Sequence, residues 1–178
     1  ERGISWSGDS VKSYVNSVSA GAGTKTLQIN DRSNSLKGLI TVLRDDATVA
    51  AFGSNSIGHS TLEGVTQVRT SIAGRNYPPD NITVNTVATA LEVSRLYAEC
   101  SKVLAPEGEL ECDPAVVLAT YAGLTETSAQ GVAAVDLKRF DDEKLMLVGL
   151  NTAANNSPST IELQCVAAAT AREAVTYA

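Results

Sequence analysis

Polar and apolar residues begin to alternate at Lys25. Lys25 to Asn30 (KTLQIN) sets Leu27 and Ile29 on one side of an extended chain, and Asp31-Arg32-Ser33-Asn34 follows with residues that bond their own backbone in turns. Leu36 to Leu43 (LKGLITVL) is more continuously apolar, as in a strand covered on both sides over part of its length, and Arg44-Asp45-Asp46 closes it. Ala47 to Thr61 holds Gly53, Ser54, Asn55, Ser56, Gly58 and the only histidine, His59, and reads as a loop. Gly64 to Ile72 (GVTQVRTSI) predicts another strand, with Val65, Gln67, Arg69 and Ser71 on one face and Thr66, Val68, Thr70 and Ile72 on the other. Neither face is purely apolar, which fits partial solvation or contact with a partner subunit.

The period then changes. Asn85 to Leu104 (NTVATALEVSRLYAECSKVL) spaces Glu92, Arg95, Glu99 and Lys102 by three and four along one polar stripe, with Leu91, Val93, Leu96, Tyr97, Cys100, Val103 and Leu104 on the remainder. Asn85 can cap this helix, and Pro106 and Gly108 end it. Beyond the acidic turn Glu107 to Asp113, Ala115 to Tyr121 (AVVLATY) fits a strand or a short helix. Strands are predicted at Gly131 to Leu137, Lys144 to Leu150, Thr160 to Val166 and Glu173 to Ala178, with the turn Asn151 to Pro158 between the second and third of these. Glu1 to Gly23, rich in Ser and Gly, reads as an N-terminal arm or irregular lead-in to a domain spanning 24–178. About eight short strands separated by polar turns predict an all-β fold: a single eight-stranded antiparallel jelly-roll sandwich with one inserted helix over about 85–104.

Between the strand at 64–72 and the helix lies SIAGRNYPPDNITV, Ser71 to Val84, where Tyr77, Pro78 and Pro79 stand together in a chain with five prolines in all. Gly74 permits a sharp exit, Pro78 holds Tyr77 extended, Pro79 stiffens the next step, and Asn81 or Asn85 reopens the backbone bonding that leads into the helix. Gly74, Arg75, Tyr77, Pro78 and Pro79 therefore read as a structural corner, with Tyr77 expected to pack at or near a subunit boundary.

Composition narrows the function. At 178 residues the chain buries a core without needing disulfide staples. Its formal charge of −6, with no basic cluster longer than Lys138-Arg139, leaves counterion-release binding to nucleic acid little to work with. Cys100, Cys112 and Cys165 share no metal-type spacing and read as small buried thiols of a reducing compartment, the alternative being one bridge plus a spare in a secreted chain. Asn81-Ile82-Thr83 and Asn155-Asn156-Ser157 fit the glycosylation pattern, which recurs by chance in an Asn/Ser/Thr-rich chain. No apolar run reaches the roughly 20 residues of a membrane-spanning helix. The N-terminus lacks an initiator Met, as in a processed chain or a fragment.

The chemical motifs are weak. Gly8-Asp9-Ser10 matches the nucleophile block of GDS-type esterases, but no buried strand precedes it and His59 has no acidic residue three positions earlier. Asp45-Asp46 and Asp141-Asp142-Glu143 are adjacent acids at strand ends beside Arg or Lys, which suits solvated turns better than a glycosidase pair or a calcium site. One His and three scattered Cys make no zinc site, and the glycine-rich stretches lack the lysine of a phosphate loop. No catalytic, metal-binding or cofactor-binding residue is predicted, and the chain reads as a non-enzyme.

The order of elements carries a resemblance. SLKGLITVLR (Ser35 to Arg44), a loop, then TQVRTSIAGRNYPP (Thr66 to Pro79) running into a long helix, resembles the major capsid proteins of double jelly-roll DNA viruses, the adintovirus, polinton and virophage-like members being nearest. GVAAVDLKRF (Gly131 to Phe140), GLNT (Gly149 to Thr152) and the closing TIELQCV are similar too. The likeness spans Thr24 to Val166 and corresponds to the C-terminal jelly roll of such a protein; a full double-roll chain is more than twice as long, so the resemblance implies a first roll that is missing, cleaved off or carried elsewhere. The resemblance implies a structural virion protein assembled inside the host cell, partnering itself in trimeric, pseudo-hexameric capsomers of an icosahedral shell and partnering other capsid proteins, with no cofactor and no direct nucleic acid. A single jelly-roll penton or minor capsid protein fits the length without a missing roll. A secreted glycan-binding or adhesin β-sandwich is the competing class, against which stands the position of the sole Trp6 in the N-terminal arm rather than on a stacking face.

Overall fold

The computed structural model describes residues 10–46, 62, 64–84, 90–104, 132–138, 149–153, 158–166 and 169–178. Among the described residues, nine strands and one helix follow in the order β1 (Ser13–Val18), β2 (Gly23–Ile29), β3 (Gly38–Asp45), β4 (Val65–Ile72), β5 (Arg75–Asn76), β6 (Ile82–Thr83), α1 (Ala90–Leu104), β7 (Ala133–Asp136), β8 (Ser159–Cys165) and β9 (Arg172–Tyr177). Two antiparallel sheets form, one ordered β1-β9-β3-β7 and the other β2-β8-β4-β5, with β6 also paired to β4. Successive long strands thus alternate between sheets, and the last strand returns between the first and third. That is the paired Greek-key connectivity of a jelly roll.

The ninth strand is a matter of division. β5 and β6 lie on the same side of β4, Ile72 facing Arg75 and Val68 facing Ile82, so they are two halves of one strand interrupted by residues 77–81. β1 lies inside the segment read as an irregular lead-in. Its sequence, SYVNSV, turns Tyr14, Asn16 and Val18 inward and leaves Ser13, Val15 and Ser17 exposed, a period of two that the serine content conceals. Predicted elements at 47–61, 85–89, 115–121 and 144–148 lie outside the described residues.

Between the sheets lie Leu27, Ile29, Leu39, Leu43, Val65, Ile72, Ile161 and Leu163, each at most 2 % exposed. A break in register between Val65 and Gln67 explains the mixed pattern of β4. The bulged residue brings Val65 onto the side of Val68, Thr70 and Ile72, all four buried, while Gln67 and Arg69 are exposed. Simple alternation divides these residues between the two faces, and the bulge is what reunites them. The buried hydroxyls of Thr41 and Thr176 satisfy each other, with Oγ1 to Oγ1 at 3.0 Å.

Helix α1 packs on β7 and β3. Val103 sits where a Cβ on Gly38 would reach, 3.0 Å from its Cγ1, so the absence of a side chain at Gly38 lets the helix approach. Leu96 and Cys100 are buried, whereas Arg95 and Lys102 face solvent, as their helical spacing predicts.

Candidate functional site

The predicted corner is built from a tight turn outward. Ile72 and Arg75 pair across the two residues Ala73 and Gly74, whose φ values are +53° and +75°. Two consecutive left-handed residues are the backbone of a type I′ hairpin, whose twist matches the flanking strands. Gly74 adopts this conformation freely; Ala73 does so against the preference of its side chain. The Tyr77 N–H then donates to the Thr70 carbonyl at 2.9 Å, and the Tyr77-Pro78 peptide is cis.

Five residues of this corner divide by environment. Gly74, Arg75 and Pro79 are exposed, while Tyr77 and Pro78 are half-buried. Tyr77 packs against the core and, with Pro78, lines a crevice whose walls include Leu39, Val68, Ile82 and Val135. Its free space of about 10 Å³ is that of a single water. The tyrosine therefore closes the open end of the sandwich between β6 and β7. An ion pair of 3.8 Å from Arg95 to exposed Asp80 ties the corner to α1.

A second constellation was invisible in the sequence. The Asp31 side chain is fully buried, and four donors converge on its carboxylate: Lys12 Nζ at 2.8 Å, Ser33 Oγ at 2.9 Å, Tyr14 Oη at 3.2 Å and Thr152 Oγ1 at 3.1 Å. Lys12 Nζ also donates to Ser33 Oγ at 3.1 Å. Burial pushes the Asp31 carboxyl up, but the hydrogen bonds from Lys12, Ser33 and Thr152 outweigh it and hold the group below its ordinary range. The bond to Asp31 raises Lys12, and burial raises Tyr14. Lys12 is thus held as a cation with no lone pair to offer, and Asp31 as a carboxylate of lowered basicity, so neither is suited to take the Ser33 proton. The cluster is a staple joining the lead-in to β1, the β2–β3 turn and the segment 149–153. Its members stand 17 to 121 positions from Asp31 apart from Ser33, and no local spacing announces them.

Of the other sequence candidates, Asp9, His59 and Asp141-Asp142-Glu143 lie outside the described residues. Asp45 ends β3 opposite Arg172, and Asp46 is exposed with its N–H bonded to the Ala171 carbonyl. Cys100 and Cys165 are buried, and burial pushes the Cys165 thiol up. Among the described residues no group of three or more His, Cys, Asp or Glu is placed to hold a metal, and no helix is long and apolar enough to cross a membrane.

The two outer sheet faces differ. Thr26, Gln28, Gln67, Arg69 and Gln164 cover the β2-β8-β4 sheet with polar side chains, tied by Thr24 Oγ1 to Gln164 Oε1 at 2.7 Å and Arg69 to Glu162 at 3.5 Å. On the other sheet, the row Val15, Val175 and Val42 is apolar, and Tyr177 and Ile40 adjoin it. No family model matches the chain, and no curated protein is similar enough to count as a relative.

Proposed function

We propose that the chain is a structural capsid protein, the jelly-roll portion of a major capsid protein that assembles through its own surfaces into trimeric capsomers. The observation that carries this reading is the strand order β1-β9-β3-β7 and β2-β8-β4-β5, with a helix entering between β6 and β7 where the capsid-like sequence order has one. Jelly rolls also serve as lectin and cupin folds, so topology alone does not choose among functions. Surface chemistry favours assembly: Tyr177 is the one exposed aromatic among the described residues, which gives a glycan little to stack on. The acidic balance suits a shell that does not grip the genome.

In this reading the corner of Gly74, Arg75, Tyr77, Pro78 and Pro79 lies at a subunit boundary. Tyr77 and Pro78 brace it from inside, and Arg75 and Pro79 form its outer surface. Sedimentation and negative-stain microscopy of the purified chain test the proposal. Trimers or larger particles are expected, with R75E weakening assembly while leaving the circular dichroism unchanged. A strictly monomeric chain that binds members of a glycan array overturns it.

A further inference from the structure

A sheet edge presents unpaired N–H and C=O groups, and proteins ordinarily blunt such edges. Among the described residues, three of the four edges carry a blunting device. β7 has four residues and lies under α1. The β5–β6 edge is interrupted by the corner. β2 is engaged at Gln28 by Asn16, whose Nδ2 donates to the Gln28 carbonyl at 3.3 Å and whose Oδ1 accepts the Gln28 N–H at 3.4 Å, and it carries the charged Lys25.

The edge of β1 has no such device among the described residues. It is six residues long, SYVNSV, and carries neither charge nor proline. Lys12 and Ala178 exchange both backbone bonds, at 2.9 and 2.8 Å. By antiparallel alternation Tyr14, Asn16 and Val18 are the residues bonded to β9, and Ser13, Val15 and Ser17 turn their N–H and C=O outward. The side chains of those same three residues are exposed, Val15 at 64 %.

We propose that this edge is a self-association site, at which a second copy of the chain adds its own β1, antiparallel and centred on Val15. The sequence is self-complementary in that register. Val15 meets the partner's Val15, Ser13 meets the partner's Ser17, Tyr14 meets the partner's Asn16, and Lys12 meets the partner's Val18. No like charges are opposed, and each pairing of Ser13, Val15 and Ser17 falls where both strands offer outward backbone groups. Paired in this way, two four-stranded sheets become one continuous sheet across a two-fold axis. The exposed Val15 side chain gains a partner, extending the row of Val175 and Val42. The contact is isologous and so distinct from any three-fold capsomer contact; it stands whether or not the capsid reading does.

Analytical ultracentrifugation across concentration, combined with amide exchange, tests it on the full chain. V15P removes one outward N–H without touching the β9 ladder, since proline is tolerated at an edge. S13K/S17K opposes like charges across the pair, whereas S13K/S17E opposes unlike ones. The two-fold species is expected to weaken by at least about tenfold in V15P and S13K/S17K and to persist in S13K/S17E. Exchange at Ser13, Val15 and Ser17 is expected to slow as concentration rises, and unchanged thermal melts show that each variant folds. Slow exchange at these amides in dilute monomer would mean that the chain covers its own edge, and overturns the proposal. So does a wild-type chain that shows no two-fold species, or one whose self-association ignores both V15P and S13K/S17K. If the chain forms three-fold species but no β1-dependent pair, this inference fails and the capsid reading does not.

Discussion

Replacing Asp31 by Asn keeps the shape of the side chain and removes its charge, in a place where the structure allows the loss to be worked out. The carboxylate accepts from Lys12, Tyr14 and Ser33 on one oxygen and from Thr152 on the other. An amide retains one accepting oxygen and presents an NH2 group to donors that cannot receive it. Hydrogen bonds to a charged group are worth about 1.5–3 kcal/mol each, but they do not add. Lys12 is 46 % exposed, so its ion pair contributes at the low end, about 1 kcal/mol. Thr152 loses least, because its hydroxyl can turn to the Ser33 carbonyl at 3.1 Å. What remains is the stranding of Ser33 or Tyr14, giving a loss of about 2–3 kcal/mol for D31N and about 3–5 for D31A, where a cavity adds to the unpaired donors.

For a chain of this size, the D31N loss corresponds to a fall of roughly 5–10 °C in Tm. The pH dependence is the sharper assay. Asp31 is held below its ordinary 3.8 in the folded state, so its stabilisation is present above that value and is lost as pH falls through the lower folded value. Urea unfolding followed from pH 7 to pH 3 should show wild type and D31N converging toward the acid end. Lys12, raised above 10.5, adds a smaller term that is present below its ordinary value and fades as pH rises through the folded one. Parallel curves over the acid range, or a D31N loss below about 0.5 kcal/mol at pH 7, would refute the reasoning.

Three further substitutions probe the backbone and the core. A73N should stabilise the chain by about 0.5–1 kcal/mol in urea unfolding, because Asn accepts the left-handed conformation that Ala73 holds at φ +53°. G149A should cost about 2–4 kcal/mol and shift the melt accordingly, since a Cβ there runs into the Leu36 carbonyl, which pairs with Leu150. T41V should cost about 1–2 kcal/mol by stranding the Thr176 hydroxyl, while T41V/T176V recovers most of that loss, a double-mutant cycle readable from two denaturation midpoints.

Strand positions were legible because burial on one side imposes a period of two that local composition preserves: the expected strands over Lys25 to Asn30, Thr160 to Val166 and Glu173 to Ala178 are β2, β8 and β9 to within two residues. Helix α1 was legible through its three-and-four spacing. β1 was not, since half of its residues are Ser or Asn and its inward side chains include Tyr14 and Asn16, whose roles depend on Asp31 and Gln28.

The sequence by itself determined an all-β sandwich with an inserted helix, a sharp exit at Gly74 and an acidic composition with few aromatics, because these follow from local propensity and composition. Tertiary structure decided the rest. A bulge at Val65 chose the buried face of β4, pairing across more than a hundred residues brought Thr152 to Asp31, and sheet order made β1 an edge. Each depends on which strand lies beside which, and non-local pairing leaves no periodic trace in either partner.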